Sequence, residues 1–162
     1  MIDFVLPTYN LNLMYAQKLA GDVPEDKMCA QPVAGRVMNH PAFLLGHLTW
    51  ASDSAAGLLG AQGGHAADWR ELFGMGAKPL ADRSQYPAKA DLVKALEDAH
   101  ARLSAAVSKA TPEMLAQPAP ERMRSRFATL GQMIHGLMTA HEATHLGQFS
   151  AWRRAIGLPS VF

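Results

Sequence analysis

An all-α fold, a four-helix bundle in a single domain over residues 1–162, is what the sequence predicts, and three observations carry that prediction. Apolar residues recur at steps of three and four in four separate stretches. Ala and Leu abound while β-branched residues are few, and no run alternates apolar with polar side chains as a half-buried strand would. The connections between the stretches are long and rich in Gly and Pro, which allows a crossover in place of four short hairpins.

The first helix is expected over about Pro7 to Leu19, with Leu6, Leu13 and Ala20 in one row and Leu11, Tyr15 and Leu19 beside it. Gly21 and Pro24 stop it, and a loop over residues 21–37 holds the lone Cys29. The second begins at Asn39 as N-cap with Pro41 in its first turn, where a missing N–H costs nothing. It sets Leu44, His47, Leu48, Ala51, Ala55 and Leu58 on one face, and Gly60, Gly63 and Gly64 close it. The connection over residues 61–87 is long enough to be functional or to cover something, with Trp69, Leu72 and Phe73 packing it down. The third helix runs from Lys89 to Lys109 on a stripe of Leu92, Leu96, Leu103 and Val107. The fourth, from Thr129 as N-cap to about Ile156, has the clearest pattern: Leu130, Ile134, Leu137, Met138, His141, His145, Gln148 and Trp152 share a row.

Composition narrows the function classes. Fifteen basic and fourteen acidic side chains leave a net charge of +1, so no basic face marks a nucleic-acid partner. With 49% apolar and 18% charged residues the chain is globular in type. At this size a compact chain keeps about 8,000 Å² of the roughly 25,000 Å² it exposes unfolded, enough for one core. One cysteine makes no internal disulfide. Met1-Ile2-Asp3-Phe4 lacks a basic n-region, and no apolar run is long enough to span a bilayer, so a cytoplasmic domain without membrane contact is expected.

The chemistry concentrates in the histidines. His141 and His145 are four residues apart, so their rings project from one helix face, and both fall in the apolar row of the fourth helix. His47 falls in the apolar row of the second. Bundle helices approach to about 8–10 Å, so the three imidazoles can meet in the interior. A lone core histidine is usually just a hydrogen-bonded side chain, but burying three is costly unless each ring nitrogen is satisfied, which a metal does directly. Three nitrogen ligands and an open position are the arrangement of a catalytic rather than a structural centre. The other histidines fall at surface or outlying positions: His100 off the third stripe, His65 among loop glycines, His40 in a cap, and His135 about 80° around the helix from His145.

His141-Glu142-Ala143-Thr144-His145 is also a literal H-E-x-x-H, in which the glutamate serves as general base of a zinc peptidase. The longer peptidase motif wants Gly and His where Gln148 and Ala151 stand, and residues 146–162 contain no Asp, Glu or His to complete the other form. The peptidase is therefore the weakest of the readings.

Gly46-His47-Leu48-Thr49-Trp50 in the second helix and His141 to Gln148 in the fourth, followed by Arg153-Arg154 and Gly157-Leu158-Pro159, resemble the DinB-like superfamily. The likeness covers the whole chain in order, including Leu72-Phe73-Gly74 in the middle loop. It implies an up-up-down-down bundle and a divalent metal on His47, His141 and His145. It further implies a frequent homodimer, and a kinship with transferases or isomerases that use mycothiol, bacillithiol or glutathione. The resulting expectation is a metal-dependent thiol S-transferase or related hydrolase acting on a small molecule, with a low-molecular-weight thiol as cosubstrate. A non-catalytic, dimeric metal-binding or stress-response protein is the alternative. Imidazole suits zinc and nickel first, with iron, manganese and copper allowed. Protonation of the imidazoles would release the metal below about pH 6.

Glu142 and Gln148 are the candidate catalytic side chains. Glu142 projects about 100° from the adjacent ligand, toward a neighbouring imidazole or solvent, while Gln148 lies on the ligand face, placed to orient substrate or water. Tyr9, Asn10 and Asn12 are candidates to line the pocket, and Asp53 falls off the face.

Overall fold

The computed structural model describes residues 2–161, and among these the chain is all-helical, with no strand beyond an isolated bridge between Pro118 and Thr129. Four long helices carry it. They are α1 (Ile2–Gly21), α2 (Pro41–Leu58), α3 (Lys89–Lys109) and α4, which is built of Leu130–Gly136, a π-turn over Leu137–His141, and Glu142–Ala155. One-turn helices at Arg70–Phe73 and Pro112–Ala116 punctuate the connections. None of these helices is long and apolar enough to cross a membrane.

Two helix starts differ from the sequence expectation. α1 begins at Ile2, and Pro7 sits inside it on the exposed face. The N-cap of α2 is His40 rather than Asn39: its Nδ1 accepts from the Phe43 N–H at 3.2 Å while Nε2–H donates to the Leu80 carbonyl at 2.8 Å. An imidazole can cap because its unprotonated nitrogen accepts as a Ser oxygen does. At α4, Thr129 caps as expected, in a reciprocal box with Gln132.

The side chains joining the helices set their directions. Tyr9 stacks on His100, Gln17 bonds Glu97, and Lys89 reaches the Ala20 and Gly21 carbonyls, so α1 and α3 run antiparallel. Asn12 meets Met138 and Arg153 meets the Leu19 carbonyl, so α1 and α4 run parallel. His47 lies against His141 and Asn39 against Gln148, so α2 opposes α4. His40 packs on Tyr86 and Asp53 on Arg102, so α2 and α3 run parallel. The order is up, down, down, up, which corrects the expected up-up-down-down. The long crossover falls between α2 and α3 because parallel neighbours have their joined ends at opposite ends of the molecule.

Burial divides into two apolar clusters. One gathers Leu19, Leu44, Leu48, Phe73, Leu92, Leu96, Phe149 and Trp152; the other gathers Val5, Ala55, Leu103, Ile134 and Met138. Each long helix contributes to a buried polar set that includes Asn12, Ser52, His100 and Glu142, with Thr49 and Asp53 of α2 and Arg153 of α4 also buried. The π-turn explains why α4 departs from its expected row. In an α-helix residues four apart drift about 40° per step, and a π-turn takes up that drift. Ile134, Met138, Glu142 and Leu146 therefore stay buried in register, while Leu137, His141 and His145 are held at the half-buried edge.

Candidate metal centre

His47 comes from the middle of α2, where Gly46 allows the close approach that orients it. A Cβ at Gly46 would lie 2.1 Å from the Phe73 ring, so only glycine lets Phe73 pack flat on α2. That packing delivers the Phe73 carbonyl to His47, whose Nδ1–H donates to it at 2.7 Å. The tautomer is thereby set, and Nε2 is left as a bare lone pair. Phe43 and Trp50 stack on either side of the ring, at 5.8 and 6.0 Å between centroids.

His141 closes the π-turn and His145 follows one turn on. The His47 and His141 Nε2 atoms are 3.1 Å apart, and one ring nitrogen from each of the three histidines lies within 4.8 Å of the others. His145 Nδ1–H donates to Gln148 Oε1 at 3.0 Å, and that oxygen also accepts from Asn39 Nδ2 at 2.9 Å. Burial pushes all three histidines down, His141 to about 3 and His145 to about 4, with the neighbouring imidazoles adding to the effect for both. All three are neutral at pH 7, the form that binds a cation. Converging lone pairs, with the opposite nitrogens of two rings already bonded, fit a divalent metal ion. No fourth His, Cys, Asp or Glu joins the group among the described residues.

The two candidate catalytic residues separate. Gln148 stays at the centre, as the hydrogen-bond partner of His145. Glu142 does not: it turns into the core, 2% exposed, with Oε1 2.6 Å from His100 Nε2. Burial raises its pKa, against the pull of His100 and Asn12. It faces neither the triad nor solvent, so the general base that the H-E-x-x-H pattern supplies is absent from the cluster.

Of the first-helix candidates, Tyr9 is buried with its hydroxyl donating to Ser52 Oγ at 2.7 Å, Asn12 is buried beneath the π-turn, and Asn10 is exposed. Asp53, off the metal face as expected, is a buried anchor that accepts from the His65 N–H at 2.6 Å and from Arg102 Nε–H at 2.9 Å. His135 is exposed, His65 stacks on Trp69, and His40 caps α2.

His100 was missed as a core residue. The signal was present: it lies four residues after Leu96 and three before Leu103, in a vacancy of the third stripe. Glu142 likewise lies midway between Met138 and Leu146. Cys29 is buried outside the triad, with its thiol pushed up to about 11 by burial. A groove of about 1310 Å³ also lies apart, lined by Leu6, Leu115, Phe127 and His135 among others.

Compared with protein-family models, the chain matches that of the DinB superfamily over residues 9–149, a span that includes all three histidines. No curated protein and no solved structure matches it.

Proposed function

The chain belongs to the DinB superfamily, and from that premise we propose that it holds a divalent metal ion on His47, His141 and His145 and applies it to a small-molecule substrate. The observation that carries the reading is the convergence of three neutral imidazoles with no fourth protein ligand among the described residues. When bound, such an ion acts as a Lewis acid that favours the deprotonated form of water or of a thiol. The chain's own residues hold and orient the ligands. Phe73 fixes the tautomer of His47, Gln148 steers His145, and Phe43 and Trp50 form apolar walls that keep bulk water from the His47 ring.

The reaction we propose is transfer to or from a low-molecular-weight thiol. It is supported by the protein's own thiol being unfit: Cys29 is buried, protonated and absent from the triad, so a nucleophilic sulfur has to arrive with a cosubstrate. A related hydrolase is the nearest second reading, and a non-catalytic dimeric metal protein the next. We take zinc or nickel as the first candidates for the ion. The reading includes a four-helix bundle and a homodimer, for which the exposed Phe4, Leu11 and Met14 on α1 offer an apolar face.

Elemental analysis of the purified chain, then turnover assays with glutathione-type thiols and model electrophiles, test the proposal. One metal per chain and metal-dependent consumption of thiol are expected. Hydrolysis without any thiol dependence would overturn the transferase.

A further inference from the structure

We infer that Asn12, acting with the Glu142–His100 pair, is a positioning device that holds the π-turn of α4 and thereby sets the direction of His141. The inference rests on the metal reading above and adds residues that do not themselves touch the ion.

The π-turn spans Leu137–His141, so its last residue is one of the three converging histidines. Such a turn breaks the regular i to i+4 ladder, and its carbonyls need partners from elsewhere. Asn12 supplies one from α1: its Nδ2–H donates to the Met138 carbonyl at 3.3 Å, and the side chain is buried there. The residue immediately after His141 is held from the other side, with Glu142 Oε1 2.6 Å from His100 Nε2. His100 lies flat on Tyr9, with ring centroids 3.7 Å apart and planes within 7°, and Tyr9 bonds Ser52 on α2, the helix that carries His47. The polar layer thus ties three helices to α4 at the one point where its phase is set.

A layer that merely specified helix register would be the simpler account, since one buried polar residue per helix suffices for that. Register alone, however, does not require a donor on a carbonyl inside the π-turn. Losing that donor favours ordinary α geometry. The helix on one side of the turn then rotates against the other, and His141 and His145 leave the direction of His47.

The experiment is Co(II) titration of the full chain, read by the visible ligand-field bands and by competition with a chromophoric chelator. Asn12→Leu and Glu142→Leu are expected to lower Co(II) affinity by about 10–100-fold and to shift the bands, because both report ligand geometry. Glu142→Gln keeps the accepting oxygen and the volume, and is expected to restore most of the affinity. Should Asn12→Leu fail to fold, Asn12→Ala removes the donor without adding bulk and gives the same readout. Wild-type affinity and bands in Asn12→Ala and Glu142→Leu would overturn the inference, as would a lowered melting temperature with unchanged bands. His141→Ala separates the two readings. Unaltered Co(II) binding in that variant, or none in the parent chain, rejects the metal centre itself.

Discussion

Two of the three imidazoles at the centre, His47 and His145, each owe their orientation to one hydrogen-bond partner. Gln148 fixes His145 through a 3.0 Å bond, so Gln148→Ala should weaken metal binding by about 10–100-fold without changing helix content, as chelator competition and circular dichroism will report. Protonation gives a second expectation. The triad's pKa values in the folded chain lie below the ordinary histidine value of about 6.5, reaching about 4 for His145 and about 3 for His141. In the metal-free protein the unfolded state therefore takes up protons first. Stability present above about pH 6.5 is lost as pH falls through about 4 toward 3. Thermal melts of the metal-free chain between pH 7.5 and pH 4 should show this slope, and His141→Ala should flatten it. The same depression moves metal release below the value near pH 6 that ordinary histidines suggest.

Among the elements, α2 and α4 carry the site, and each depends on one local departure from ideal geometry. On α2 it is Gly46, pressed against Phe73. Gly46→Ala should destabilise the fold by about 1–3 kcal/mol, since the Phe73 ring must move, and should weaken metal binding as the Phe73 carbonyl leaves His47. Denaturant unfolding and a Co(II) titration on the same variant check both halves. On α4 it is the π-turn. Deleting Thr139 removes the extra residue and would return the segment to α geometry with Glu142 and Leu146 still facing the core. Retained cooperative unfolding is the expected outcome, monitored by near-ultraviolet circular dichroism. Helical periodicity alone did not reveal this turn. The four-residue spacing of Ile134, Met138, Glu142 and Leu146 fits a buried face only once the extra residue is counted.

At the scale of the whole molecule, the crossover between α2 and α3 is pinned at its start by a buried carboxylate. Asp53 accepts from the His65 N–H and from Arg102, and the chain passes so close at Gly64 that a Cβ there would lie 2.5 Å from the Asp53 carboxyl carbon. Arg102→Leu leaves that carboxylate buried without its cation and should cost about 3 kcal/mol, with new protease sensitivity in residues 61–74. The four long helices, Pro41 in the first turn of α2, the cap at Thr129, and the convergence of His47, His141 and His145 were legible in the sequence, because helix periodicity and capping act over neighbouring residues. The directions of the helices, the turning of Glu142 away from the triad, and the burial of His100 were decided only in three dimensions. Each depends on which face meets which neighbour, and a carboxylate and an imidazole are free to enter a core only where the fold supplies the other.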